Sequence, residues 1–441
     1  MLDLRCGRVE PPRGSVDGMK GMVESSRIDP KSSSFCVNGR RYALPPVPLV
    51  VICVDGCGDE YLSTSLAHGR MPNLARMILQ GYRGLVRGAL PSFTNVNNAS
   101  IVTGVPPSVT GIAGNYFIDP ESGQEVMMNS SRFLRCGTIL AAAAKAGRKV
   151  AMVTAKNKLL DLLSHALEGI AFSSEKANEA EEATHGVGDV ESLLGRSTPP
   201  IYSAEGSLFV LAAGTRLIEL GLADFLYLSL TDYMQHKFGP DSPDSLEFYG
   251  TMDEEIGRML DLGAVLGLTA DHGMNAKNKP DGRPNVIYLE SLLEKRFGPG
   301  HKVICPITDP YVVHHGGLGS EVMVYLSSGL QTEAIAEWIL RLEGITEVHD
   351  RRTAAAKLEL PADRLGDLLV LSGRDVVVGR SPQHHDLSLL EGGLRSHGGR
   401  YEEMVPMVIS HRLTDQYRDK ANADPRNFDV FDFLCNGLHD A

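Results

Sequence analysis

Short unbroken apolar runs alternate along this chain with longer stretches in which apolar residues return every three or four positions. The runs LVVICV (49–54), KVAMVTAK (149–156), FLYLSLT (225–231) and AVLGLTA (264–270) read as buried strands, and MVPMVIS (404–410) reads as another. Between them, MPNLARMILQG, GTILAAAAKAG, SLFVLAAGTRLIELG and SLEFYGTMDEEIGRMLDLG carry helical periodicity. Pro72 stands where a helix would begin and Gly81 where it would stop. This alternation predicts an α/β fold, a mostly parallel sheet sandwiched by helices.

Two stretches break the rhythm. Residues 174–198 are polar and rich in Ala and Glu, and residues 275–385 open with a loop of Gly, Pro and Asn before weakly periodic segments such as EAIAEWILRLEG and DLLVLSGRD. The second stretch is expected to form a smaller inserted cap domain. The expected division is an N-terminal extension over 1–45, a discontinuous core over 46–274 and 386–441, and the cap over 275–385. Within the extension, FCVNGRRYALPP reads as a peripheral strand.

Composition narrows the function classes. A net charge of −12 argues against general nucleic-acid binding, because a phosphate backbone is repelled outside local basic patches. The seven cysteines are odd in number and irregular in spacing, so a disulfide framework is not expected and a reducing, cytoplasmic setting is. No stretch reaches the roughly 18 to 20 apolar residues of a membrane span, and the N-terminus lacks a secretory apolar core.

The candidate chemistry lies at the ends of the apolar runs. Asp55 follows the first, Asp232 the FLYLSLT run, and Asp271 with His272 the AVLGLTA run. Ligands of open α/β sheets gather beyond the carboxyl ends of the strands, so these acids are placed to converge. Asp232 and His236 are four apart, on one face of a helical turn, where both can reach one ion. His397 sits in a Gly-rich loop ahead of the last strand. Each alone has an ordinary alternative: a helix cap, a turn, a loop histidine. Thr94, in PSFTNVNNASIVTG, stands where a threonine commonly caps a helix, but a helix N-terminus also favours an anion formed there. Lys156 and Lys158 follow a core strand and read either as a solvated edge or as anion contacts. Asn115 in GIAGNYF reads as a turn residue or a donor to an anion.

Taken together, VICVDG, PSFTNVNNASIVTGVPPSVTGIAGNYF, SLTDYMQHK, TADHGMN and RSHGG resemble the alkaline phosphatase superfamily. VTAKNKL, FSSEKA, ADHGMNAK with GRPNVIYL, and ITDPYVVHHGGLGS look more like its phosphonoacetate hydrolase branch than its nucleotide pyrophosphatases. The resemblance runs over roughly residues 36–410. It implies an alkaline-phosphatase-like core and two Zn2+ per subunit, one held by Asp55, Thr94, Asp271 and His272 and the other by Asp232, His236 and His397. It implies Thr94 as nucleophile, with Asn115, Lys156, Lys158, His236 and His397 contacting substrate and the lysines reaching its carboxylate. The implied reaction cleaves phosphonoacetate to acetate and phosphate. A phosphodiesterase or nucleotide pyrophosphatase on the same scaffold is the alternative. Cys57 departs from the pattern: its thiolate would be an extra zinc ligand, against the commoner role of a small buried residue. A homodimer is the working expectation for assembly.

Overall fold

A computed structural model describes residues 34–439 except 307–316, 328–330, 389 and 391. Most of the N-terminal extension and the first ten residues of ITDPYVVHHGGLGS lie outside the described residues; the stretch read as one peripheral strand is a hairpin of Ser34–Val37 and Arg40–Ala43.

The central sheet has seven strands. In chain order they are β1 (Leu49–Cys53), β2 (Tyr82–Arg87), β3 (Val150–Thr154), β4 (Ile170–Ser173), β5 (Phe225–Ser229), β6 (Val265–Thr269) and β7 (Met404–Ile409). Their order across the sheet is β2-β7-β6-β1-β5-β3-β4. Only β7 opposes the others: it is antiparallel to both β6 and β2, while the remaining pairs are parallel. Every residue of β1, β3, β5 and β6 is buried, as their continuous apolar sequences require of strands covered on both faces.

Helices Pro72–Gln80, Ala204–Glu219 and Pro243–Asp261 pack together on the sheet, and Thr94–Thr103, Ile139–Lys145 and Val430–Asn436 form a second group. Gly214 shows why a glycine interrupts the otherwise favourable helix 204–219. A Cβ there would meet Leu228 Cδ1 of β5 at 2.5 Å, so glycine permits the close approach of helix to sheet.

A second sheet of four strands, Lys302–Ile304, Glu321–Tyr325, Leu368–Ser372 and Ile345–Asp350, lies within the stretch 275–385. Val322 and Val324 join a separate apolar cluster with Leu289, Ile335 and Leu368, whereas Met323, Leu369 and Leu371 on the alternate positions join the main core. The chain entering this stretch pairs with the chain beyond it, Asn275 with Ser396, and within it Val286 pairs with Val377.

Candidate active site

The register of the sheet decides where the chemistry falls. Thr154, Ser229, Cys53 and Thr269 are direct neighbours across β3, β5, β1 and β6. Two residues past three of these ends stand Lys156, Asp55 and Asp271, and three past the fourth stands Asp232. Because β7 runs the opposite way, with Met407 opposite Thr269, its N-terminal side opens at the same sheet edge. A histidine that precedes its strand thereby meets acids that follow theirs.

These residues form two buried groups, Asp55 with Asp271 and His272, and Asp232 with His236 and His397. Within each, one donor atom per residue lies within 4.8 Å of the others. In the first, His272 Nε2 is 3.3 Å from Asp55 Oδ1, 3.6 Å from Asp271 Oδ2 and 3.3 Å from Thr94 Oγ1. In the second, Asp232 Oδ2 is 3.0 Å from His236 Nε2 and 3.8 Å from His397 Nε2. The rings of His272 and His397 stack at 3.6 Å, which sets the groups side by side.

Each imidazole has its other nitrogen on a backbone carbonyl: His236 Nδ1 at 2.9 Å from Arg395 O, His272 Nδ1 at 3.0 Å from Gly273 O, and His397 Nδ1 at 2.7 Å from Ser92 O. A carbonyl only accepts, so each Nδ1 carries the proton and each Nε2 turns a lone pair inward. In the neutral imidazoles the Nε2 lone pairs therefore face the carboxylates, and the buried Asp55 Oδ1 has no hydrogen-bond partner. Oxygen and nitrogen donors so arranged fit a divalent metal such as zinc.

The electrostatics agree. Burial, then the Asp232 and Asp271 carboxylates, push the Asp55 carboxyl up to about 8. Burial also raises Asp271, to about 6. Burial works against the Asp232 carboxylate too, but Lys156, His236 and His397 outweigh it and hold that group well below its usual range. Burial keeps His272 and His397 from protonating, with the neighbouring histidines adding to the effect at His397.

Thr94 is the first residue of the wholly buried helix Thr94–Thr103, and neither Thr94 nor the preceding Phe93 caps it. Asn115 serves that end instead: its Oδ1 accepts from Asn95 N at 3.0 Å, which leaves the amide NH2 as its donor. Lys156 does not reach outward. Its Nζ donates to Asp55 Oδ2 at 2.5 Å and Asp232 Oδ1 at 2.7 Å. Lys158 is half-buried on the short turn Asn157–Leu159. Cys57 is a buried thiol outside both groups, pushed up by burial, so its role is packing. Gly56 adopts φ +71°, and a Cβ there would sit 3.0 Å from Asp232 Cβ, so glycine holds the turn that brings Asp55 to Asp232.

Sequence reasoning missed the supports behind these groups. Asn98, one turn after Thr94, donates to Asp271 Oδ2 at 3.1 Å and accepts from Tyr227 OH at 2.7 Å and Ser229 Oγ at 2.9 Å. Lys277 is fully buried and pairs with Glu402 at 2.8 Å; Glu402 also accepts from Asn275 and from Gly399 N, tying the His272 loop to the His397 loop. The polar residues Asn95, Asn97, Asn98 and Ser100 clustered within one short helical segment were the available signal for the first.

The model of the type I phosphodiesterase / nucleotide pyrophosphatase family matches residues 49–400, and the chain belongs to that family, within the alkaline phosphatase-like superfamily. Among solved structures, phosphonoacetate hydrolase from Sinorhizobium meliloti 1021 superposes with a TM-score of 0.86, in complexes with phosphonoformate at 44% identity and with phosphonoacetate at 43%. Both matches cover 91% of this chain and 98% of that one. Murine ectonucleotide pyrophosphatase / phosphodiesterase 5 shares the fold at 16% identity and a TM-score of 0.59, over 88% of this chain and 94% of its own. Venom phosphodiesterase from Naja atra is 28% identical over 256 residues, 56% of this chain but 28% of the venom protein.

Proposed function

We propose that this chain hydrolyses the carbon–phosphorus bond of phosphonoacetate, releasing acetate and inorganic phosphate through a phosphothreonine at Thr94. The observation that carries this reading is the position of Thr94 Oγ1 against His272 in the first of two adjoining donor groups. The scaffold is 44% identical, over 91% of the chain, to a phosphonoacetate hydrolase. Two zinc ions suit the donors, one with Asp55, Asp271, His272 and Thr94, the other with Asp232, His236 and His397. Bound there, such ions lower the pKa of a ligated hydroxyl or water and offset charge on phosphonate oxygens.

Thr94 Oγ1 attacks phosphorus, and the phosphorus–carbon bond breaks with its electron pair passing to the methylene carbon. The adjacent carboxylate spreads that charge as an enolate, which Lys158 stabilises before the carbon takes a proton and becomes acetate. Water then attacks the phosphorus of the phosphothreonine, the bond to Oγ1 breaks, and Thr94 recovers its proton. The Asn115 amide NH2 and the His236 and His397 edges border the phosphonate. The helix beginning at Thr94 sets the positive end of its dipole beside the charge that develops there.

The stretch 275–385 acts in this reading as a cap inserted between the two parts of the core, 46–274 and 386–441. Among the described residues no helix is long and apolar enough to cross a membrane, and the six described cysteines are free, as suits a cytoplasmic enzyme. A homodimer remains the expected assembly.

The test is phosphate release from phosphonoacetate by zinc-loaded protein, beside Thr94→Ala and a nucleotide diester. Thr94→Ala should lose at least about a thousandfold in turnover while binding zinc at the second group. Turnover of the diester with none of phosphonoacetate would overturn the substrate.

A further inference from the structure

Asn115 is held from two sides. Its carbonyl accepts from Met128 N at 2.8 Å and its side-chain oxygen from Asn95 N at 3.0 Å, whereas its own N–H donates at 2.9 Å to the carbonyl of Pro306, in the stretch 275–385. It stands near the base of an excursion that leaves the short helix Pro107–Thr110 at Gly111. That excursion runs through the hairpin of Tyr116–Ile118 and Glu125–Met127 and returns at Phe133. Arg364, also from the stretch 275–385, closes its base: Nη1 donates to Gly111 O at 2.5 Å and to Phe133 O at 2.7 Å. We infer that Arg364 is a positioning residue for the reaction, fixing the segment from Gly111 to Asn115 and through it the Asn115 amide that meets the phosphonate. This rests on the proposed function.

The segment is shaped to be gripped. A Cβ at Gly111 would lie 2.8 Å from Arg364 Nη1, and one at Gly114 would lie 2.8 Å from Pro306 Cβ. The two glycines of GIAGN thus each make room for one residue of the stretch 275–385. Arg364 itself is only 9% exposed. Its guanidinium carbon lies 5.8 Å from the ring centre of Phe117 and 5.5 Å from that of Phe133, rings that meet edge-on at 5.2 Å. The neighbouring Asp363 pairs with Arg135. Burial, and then Arg135, lower the pKa of Arg364 below the ordinary arginine value. A buried cation whose hydrogen bonds go to neutral carbonyls recovers little of its desolvation cost, so its use lies in the geometry it imposes.

Steady-state kinetics of the zinc-loaded protein test this, because a misfolded fraction lowers apparent kcat and leaves KM alone. Arg364→Met keeps the length of the side chain and removes its donors. KM for phosphonoacetate should rise by on the order of tenfold, with kcat within about twofold of wild type. Added to Asn115→Ala, the same change should move KM by less than about twofold, since the residue it acts through is gone. A wild-type KM in Arg364→Met, whatever its kcat, or KM rises that multiply in the double variant, would reduce Arg364 to packing and overturn the inference. Arg364→Gln, too short to span both carbonyls, covers a methionine variant that does not fold, with the same outcomes expected. If the wild-type protein turned over a nucleotide diester but not phosphonoacetate, the proposed substrate would fall. The same KM comparison on the diester would then decide for or against Arg364.

Discussion

Replacing Asn98 with alanine should separate the metal groups from the scaffold that holds them. The asparagine is fully buried and spends both ends of its amide on fixed partners. Its Nδ2 donates to Asp271 Oδ2 and to Thr94 O, each at 3.1 Å, and its Oδ1 accepts the Tyr227 and Ser229 hydroxyls. Alanine strands two buried hydroxyls and one carboxylate oxygen. At about 1–3 kcal/mol for each buried group left unpaired, less what hydroxyl rotation recovers, the loss is about 3–5 kcal/mol of folding stability. Metal affinity at the Asp271 group should fall roughly 10- to 100-fold, the usual effect of removing a ligand's support. Asn98→Asp sharpens the reasoning. It keeps the acceptor for the two hydroxyls but sets a carboxylate against Asp271, so its penalty should be smaller at pH 5 than at pH 8. Urea unfolding of metal-stripped protein and calorimetric zinc titration measure both effects. An alanine variant within about 1 kcal/mol of wild type and with unchanged zinc affinity would refute the account.

In metal-stripped protein, the Asp55 carboxyl is raised from 3.8 to about 8, so the folded state holds a proton that the unfolded chain has lost. Its stabilising contribution is complete below the unfolded value and disappears as pH rises through about 8. Above the ordinary histidine value of 6.5, the lowered His272 and His397 no longer oppose this trend. The melting temperature of stripped protein should therefore drop between pH 6.5 and 8.5 while zinc affinity rises; a flat profile would contradict the charge arrangement. Lys277→Met should cost about 3–5 kcal/mol in urea unfolding by leaving Glu402 charged and buried, and adding Glu402→Gln should restore part of that loss. No recovery on adding Glu402→Gln would refute the claim that the loss comes from a charge left buried on Glu402.

The sheet was legible because β1, β3, β5 and β6 are buried on both faces and so lack polar alternation. The acids were legible for a related reason: Asp55, Asp232 and Asp271 each break an apolar run at its end, where a buried carboxylate needs a purpose. The second sheet's strands were weakly marked because Met323, Leu369 and Leu371 face the main core while their alternates face a separate cluster, so neither face is polar. The carboxylates that Lys156 bonds, 101 and 76 residues away along the chain, were not legible, since two lysines on a turn say nothing about what lies across the sheet. Lys277 follows the recognisable ADHGMNA segment, yet its burial depends on Glu402, 125 residues away. Asn115 was given a donor's role; the structure uses its oxygen at the helix end first.

The reversed direction of β7 also dictates when the centre can come into being. Asp55, Thr94, Asp271 and His272 are all made before the stretch 275–385 begins, whereas Asp232 and His236 wait for His397, near the C-terminal end. A chain still emerging from the ribosome can thus assemble one donor group and hold the other incomplete through more than a quarter of its synthesis. The second group is completed by the residue that leads into β7, the last strand in the chain, which lies between β2 and β6. A chain truncated before His397 keeps its nucleophile and every donor of the two groups except that histidine, and so lacks the completed pair that the chemistry needs.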